Sequence, residues 1–315
     1  MIRAASIVLA LLASTQAVAD QPISKRAGMA SGGELDVTNV AGSITVSGWD
    51  RAEVLLEGTL WDGAEELIFD ADGDRTRIEV RLPDRVRNTK GSRLDIRVPV
   101  NTDVLASAVS ADVDIRRISG DVRLQSVSGD VDANVSSRDV VIRTVSGDVD
   151  MSADGITDSV QVGVVSGDVL LRNISGDLTV EAVSGDVDVL DANLERVDLE
   201  AVSGDLDIDL ALSEGGRLDA HTVSGDVLIR LSNAPNLDVL MESFSGDIRS
   251  LYGVKSARTS RYAPGRELRL EVGSGDTPFR VETLSGSITV RGDGRVSSDD
   301  VRDLTNRRRS DRYDD

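Results

Sequence analysis

The chain has 315 residues but no cysteine, one histidine, six prolines and only 3% aromatic side chains. Without cysteine there are no disulfides, no thiol nucleophile, no thiolate metal site and no lipid-modified cysteine. Stability must therefore come from core burial and backbone hydrogen bonding. Basic residues are also scarce: 35 Lys and Arg face 55 Asp and Glu, for a formal charge of −20. Nucleic acid and anionic membrane surfaces repel such a polyanion, which argues against both as partners. The shortage of aromatic rings weighs against a large carbohydrate cleft. No apolar run reaches the roughly 20 residues of a membrane-spanning helix.

The first residues have the form of a secretory signal. Arg3 supplies positive charge, Ala4 to Ala13 is apolar but for Ser6, and Ala17-Val18-Ala19 precedes Asp20. The expectation is a signal peptide over 1–19 and no membrane span after its removal. The mature protein is then exported, to the periplasm or the cell surface, or is secreted. Residues 20–32 are small and polar and read as a flexible leader.

From 33 to 100 the pattern is that of short strands. Apolar residues alternate at Leu35 and Val37, Ile44 and Val46, Ile78 and Val80, and Leu94, Ile96 and Val98. Asp72-Gly73 predicts a turn between two of these strands. Trp49 and Trp61 are expected to plug this N-terminal core.

The most regular feature follows. Ser-Gly-Asp begins at Ser119, Ser128, Ser146, Ser166, Ser175, Ser184, Ser203, Ser224, Ser245 and Ser274. Steps of about 9 residues, or about twice that, mark stacked repeats. Apolar side chains alternate after each tripeptide, as at Val149 and Met151 or Leu206, Ile208 and Leu210. Asp114, Asp132, Asp150, Asp188 and Asp207 fall in the outward slots between them. Second strands without the tripeptide lie at Val140 and Ile142, Val160 to Val164, and Val197 and Leu199. The reading is all-β: a parallel β-solenoid, β-helix-like, over 101–290, continuous with the N-terminal β region and carrying an irregular loop at 249–266; stacked meandering strands are the alternative arrangement. One coil cannot bury enough apolar surface to offset its ordering entropy, so stability comes from its neighbours. Residues 291–315 read as a disordered charged tail.

Glycine in the tripeptide permits a sharp corner, and serine and aspartate can hold it by hydrogen bonds to backbone. The flanking Val or Ile is expected to point inward. A functional alternative is a cation ladder in which Asp121, Asp130, Asp148, Asp168, Asp177 and Asp186 stack in register. Structural Ca²⁺ is then the candidate ion, although the doubled glycines of calcium-binding nonapeptide repeats are missing; otherwise no cofactor is expected. The loop at 249–266 breaks the period and collects Tyr252, Lys255, Arg258, Arg261, Tyr262 and Arg266, which are the candidate partner-binding residues. Aspartates recur in every repeat, so no catalytic pair stands out, and His221 has no nucleophile partner in the pattern. No catalytic residues are assigned.

The opening segment Val40-Ala41-Gly42-Ser43-Ile44-Thr45-Val46-Ser47-Gly48-Trp49-Asp50, the serial Val-Ser-Gly-Asp-Val repeats, Gly273-Ser274-Gly275 and the closing Leu284-Ser285-Gly286-Ser287-Ile288-Thr289-Val290 occur in one order. In this the chain resembles the bacterial putative-adhesin domain of unknown function, over roughly residues 33–290. The resemblance implies a β-strand repeat domain exported to the cell envelope. The expected function is a non-enzymatic binding, adhesion or scaffold surface for an envelope component or protein partner. Alternatives are a self-assembling structural β-solenoid, a calcium-stabilised repeat protein and a polysaccharide-active β-helix enzyme.

Overall fold

The computed structural model describes residues 20–83, 90–233, 236–250, 253–260, 264–292 and 301–305. The expected signal peptide therefore lies outside the described residues. Strands dominate because the sequence alternates in and out with few interruptions. The chain opens with β1 (Gln21–Gly28), β2 (Glu34–Trp49), β3 (Glu53–Leu60), β4 (Glu66–Ala71), β5 (Arg75–Arg81) and β6 (Ser92–Pro99). The repeats then supply β7 (Asp103–Arg116), β8 (Val122–Ser128), β9 (Val131–Val135), β10 (Asp139–Ser146), β11 (Val149–Ala153), β12 (Ser159–Ser166), β13 (Val169–Arg172) and β14 (Ser175–Ser184). Two long strands follow, β15 (Val187–Ser203) and β16 (Leu206–Ser224), and then β17 (Val227–Leu231), β18 (Leu237–Ser245) and β19 (Ile248–Ser250). The chain closes with β20 (Ala257–Arg258), β21 (Arg266–Val272), β22 (Thr277–Ser285), β23 (Ile288–Gly292) and β24 (Val301–Asp303).

All of these belong to one mixed sheet, and its pairings resolve into two rows. In the first row β8, β10, β12 and β14 stack in parallel, followed by the C-terminal parts of β15 and β16. In the second row β9, β11 and β13 stack in parallel, followed by the N-terminal parts of the same two strands. β2, β7, β15 and β16 run through both rows and join them. The inward faces form one continuous core. Leu124, Ile142, Val162, Val180 and Leu199 come from the first row, and Met151, Leu171, Val189 and Ile208 from the second.

Two corners connect the rows. The tripeptides at Ser128, Ser146, Ser166, Ser184, Ser203, Ser224 and Ser245 make the first corner, where Ser128, Ser146, Ser166, Ser184, Ser203 and Ser224 stand in register. Those at Ser119 and Ser175 lie instead at the second corner, the first just before β8 and the second opening β14, and Ser274 lies in the turn between β21 and β22. First-corner glycines sit on top of one another. Gly185 has φ 126°, and a Cβ there would come within 2.0 Å of the Gly167 carbonyl oxygen. The second corner passes through left-handed backbone at Asn173 and Asp191, residue types that tolerate it.

The ends of the stack are antiparallel. β3 pairs with β6 and β1 with β3, while β4 pairs with β5 through the expected Asp72-Gly73 turn. Residues 20–32 are thus no flexible leader: β1 adds a strand, and Ile23 and Met29 are buried because they reach the core edge. Its outer edge carries Pro22, Lys25 and Arg26, which discourage further strand addition. At the other end β21 pairs antiparallel with β18. The closing repeat does not terminate the stack. β22 lies between β16 and β18, and β23 between β17 and β19, so the last coil in sequence is inserted one rung from the end. The opening segment on β2 is likewise inside, between β5 and β6 on one side and β7 on the other. Part of the expected tail is ordered too: β24 pairs with β21, and Thr305 Oγ1 donates to the Arg269 carbonyl at 3.0 Å. Trp61 is buried as expected. Trp49 is only half-buried, with Arg51 4.9 Å and Arg97 5.9 Å from its ring.

The glycine column yields a direct test. Gly185→Ala should destabilise the protein by more than about 2 kcal/mol, since strain and a backbone clash coincide. Gly215→Ala, at φ 70° with nothing within 4 Å of an added Cβ, should cost about 1 kcal/mol or less. Thermal melts of the two variants should separate clearly; equal shifts would mean the stacked corner does not limit the fold.

Candidate functional site

The first corner places the aspartates before it explains them. Asp112, Asp130, Asp148, Asp168, Asp186, Asp205 and Asp226 form one column, and each Oδ1 accepts a hydrogen bond from a backbone N–H of the next rung. The distances run from Asp130 N–H to Asp112 at 3.1 Å, through Asp168 to Asp148 at 2.9 Å, to Ser287 N–H on Asp226 at 2.7 Å. Carboxylates about 4.8 Å apart repel by about 1 kcal/mol in water. A hydrogen bond to a charged acceptor returns about 1.5–3 kcal/mol, so backbone donors are sufficient to hold the column.

Of the six candidate metal ligands, Asp130, Asp148, Asp168 and Asp186 belong to this column, and Asp121 and Asp177 do not. Those two lie at the second corner, where Asp121 faces Arg123 at 3.4 Å and Asp177 bonds Arg196. The expected six-membered register is therefore split, because their tripeptides stand at the start of first-row strands instead of following them. Among the described residues no three His, Asp or Glu side chains converge as a metal site.

The outward slots of the second row hold Asp114, Asp132, Asp150, Asp188 and Asp207, with Leu170 between Asp150 and Asp188. Arg116, Arg172 and Arg230 pair with Asp114, Asp150 and Asp207. Burial pushes the Asp188 carboxyl above its ordinary value, and Asp207, Asp186 and Asp168 push it the same way. Burial likewise raises Asp114, with Arg116 opposing and Asp132 adding.

The side chain before each corner serine was expected inside, and the structure corrects this. Val109, Val127, Val145, Val165, Val183, Val202 and Val223 are each about half exposed, with Val183 at 47%. Leu284 and Phe244 continue the line, since β22 and β18 are the next rungs. The position before each valine points in instead: Ala108, Ser126, Thr144, Val164, Ala182, Ala201 and Thr222 are all buried. Strand parity explains it. Leu124 faces the core, so Ser126 does too and Val127 faces out.

These side chains form a ridge running from β7 to β18. Beside it runs a parallel outward row of Ser107, Gln125, Arg143, Gly163, Glu181, Glu200 and His221. Ridge and row line a groove of about 1000 Å³. His221 approaches Glu282 at 3.5 Å on the next rung. The groove continues into a space of about 390 Å³ under the inserted segment, lined by Phe244, Leu284, Glu242, Glu282 and Arg266.

The inserted segment is partly regular. Arg258 faces Arg266 across β20 and β21, and Lys255 bridges Arg249. Arg266 is held by Asp247 at 3.3 Å. Among the described candidate partner-binding residues only Arg266 reaches the groove; Tyr252, Arg261 and Tyr262 lie outside the described residues.

A family model matches residues 67–291 and is described as Toastrack DUF4097. The chain belongs to the Toastrack family. The match covers both stacked rows and the inserted segment. Among solved structures, a putative adhesin from Parabacteroides distasonis is 11% identical, with coverage of 86% of this chain and 97% of that one and a TM-score of 0.38. A putative adhesin from Bacteroides fragilis is 12% identical over 87% and 98%, with a TM-score of 0.33. A putative cell adhesion protein from Clostridium sporogenes is 10% identical over 86% and 100%, with a TM-score of 0.24. No curated protein matches the chain. Among the described residues, no helix is long and apolar enough to cross a membrane.

Two outcomes follow from the aspartates. A carboxyl whose folded pKa is raised binds its proton more tightly folded than unfolded. Its penalty is therefore full above the folded pKa and is relieved as pH falls from there toward the ordinary 3.8. Asp188→Asn should raise the melting temperature at pH 7 modestly and flatten the gain on mild acidification; an unchanged pH profile would contradict this. For the first-corner column, a chelator should leave the melting curve where it is, because backbone donors already occupy the Oδ1 atoms. A clear drop on chelation would show that cations hold the corner.

Proposed function

We propose that this Toastrack protein is a non-enzymatic, exported module of the bacterial cell envelope, built as a parallel β-solenoid. Its contact surface is the valine ridge and the groove beside it. One observation carries the reading: nine large apolar side chains stand half exposed in a single line, where a soluble monomer ordinarily exposes only scattered apolar groups. Each could be polar without harm to the core, since none points inward. Supporting this, the seven first-corner aspartates accept backbone N–H groups and Asp114, Asp150 and Asp207 pair with arginines, which gives these conspicuous carboxylates a structural role. The Pro- and charge-bearing edge of β1 and the short β19 and β24 favour a capped module over end-to-end assembly.

Purified Asp20–Asp315 should co-sediment with either the outer-membrane or the cell-wall fraction at low and moderate salt. Val183→Asp with Val202→Asp should lower retention about tenfold or more, corresponding to at least about 1.4 kcal/mol. Reversing Lys255, Arg258 and Arg266 should matter only at low salt if the inserted segment adds attraction. A supernatant holding all the protein under every condition would remove the reading's main support.

A further inference from the structure

The ridge has a period, and the period restricts what can lie on it. Successive valines are one rung apart, about 4.8 Å. A helix laid along them repeats every 5.4 Å or so, and a strand offers same-face side chains every 6.6 Å or so. Either loses register within a few rungs. A second stack keeps register throughout because it carries the same spacing. From this match, resting on the ridge as contact surface, we infer that the partner is a second copy of this chain, packed antiparallel on the ridge about a two-fold axis through Gly163 and Val165.

The charge pattern selects that arrangement. Within the outward row, Arg143 lies one rung before Gly163 and Glu181 one rung after it. None of Arg143, Glu181 and Glu200 has an ion-pair partner among the described residues, and all three are exposed. A parallel, in-register pair would set Glu181 and Glu200 against their own copies. The antiparallel pair instead brings Arg143 against the partner's Glu181, twice per dimer, and Gln125 against the partner's Glu200. Gly163 meets its own copy, and with no side chain there the backbones can approach at the centre.

The seven valines are symmetric about Val165. Val145 then faces the partner's Val183, Val127 the partner's Val202, and Val109 the partner's Val223. At half exposure they bury roughly 500 Å² of apolar surface per copy, and the flanking row brings this near the roughly 800 Å² per partner of a stable interface. Leu284 and Phe244 lie outside the symmetric set of valines, on the two rungs beside the inserted segment. The pair would present two inserted segments, and avidity would make envelope retention depend on the ridge.

The chain's lack of cysteine makes the test clean. Purified Asp20–Asp315 should sediment as a dimer in the range of about 10–100 µM, and Val183→Asp with Val202→Asp should weaken dimerisation about 100-fold or more. Arg143→Glu should weaken it about tenfold, and adding Glu181→Arg should restore it. On mild oxidation Val165→Cys should cross-link to itself. Val127→Cys alone should not, since its two copies would lie about 19 Å apart, beyond disulfide reach. Mixed with Val202→Cys, it should. These cysteine variants stay apolar and half exposed, so they report contacts even if the aspartate variants fold poorly. A monomer at every concentration, a dimer indifferent to the ridge, or cross-linking only of Val127→Cys to itself would overturn the antiparallel pair. If the monomer still pellets with envelope in a ridge-dependent way, or takes up a fatty-acid probe there, the partner assignment fails and the contact-surface reading stands. If neither property depends on the ridge, both fail.

Discussion

At the first corner of each coil, a backbone N–H donates to the aspartate Oδ1 of the neighbouring coil while the corner glycines lie against each other's carbonyl oxygens. This contact sets the vertical spacing of the stack. From Gly129 onward it needs glycine, because a Cβ would meet the backbone of the preceding corner, while Ala111 serves at the first rung; and it needs an aspartate whose short side chain reaches one rung and no further. Serine carbonyls complete the corner by accepting from glycine N–H groups of adjacent coils, as Ser184 does from Gly167 at 3.1 Å. Backbone polar groups that a tight turn would leave bare are thus satisfied between coils. Repetition of Ser-Gly-Asp is a consequence of stacking: each corner is both donor and acceptor, so a single altered corner disturbs two neighbours.

The same corner creates the apolar ridge that is the proposed contact surface. Chain direction changes at glycine, so the residue two before it is left on the outside whatever its polarity. With valine there at seven successive rungs, the corner carries an apolar line that the core does not require. Polar residues in that column would keep the fold and lose the ridge. Hence the functional reading rests on valines that a count of core-like residues assigns to the interior. Aspartates, the more conspicuous candidates, are occupied in holding the corner.

Much of this is legible in the sequence. The period gives the coil, and the alternation at Val149 and Met151 or at Leu206 to Leu210 correctly names the buried face. The valine before serine misleads because hydrophobicity and parity disagree there, and parity wins; the small or hydroxyl residues at Ser126, Thr144 and Thr222 were the available signal. Asp121 and Asp177 are indistinguishable in sequence from the first-corner column because both corners use the same three residues. Insertion of β22 and β23 beneath β18 and β19 has no sequence signal, since parallel pairing is non-local and any coil with matching parity can stack on any other. The antiparallel ends are equally silent: β1 has one buried residue within it, Ile23, too few to reveal an alternation.

Hydrogen exchange at the first-corner aspartates tests the central claim most directly. Because these residues lie in exposed turns, ordinary loops of that kind would exchange rapidly. If the carboxylate column holds the stack, the amides of Asp148, Asp168, Asp186 and Asp205 will be protected about as strongly as those of the adjoining strands, and Asp148→Ala will release the amide of Asp168 before any other. Rapid exchange at all four, with the strands still protected, would contradict the account.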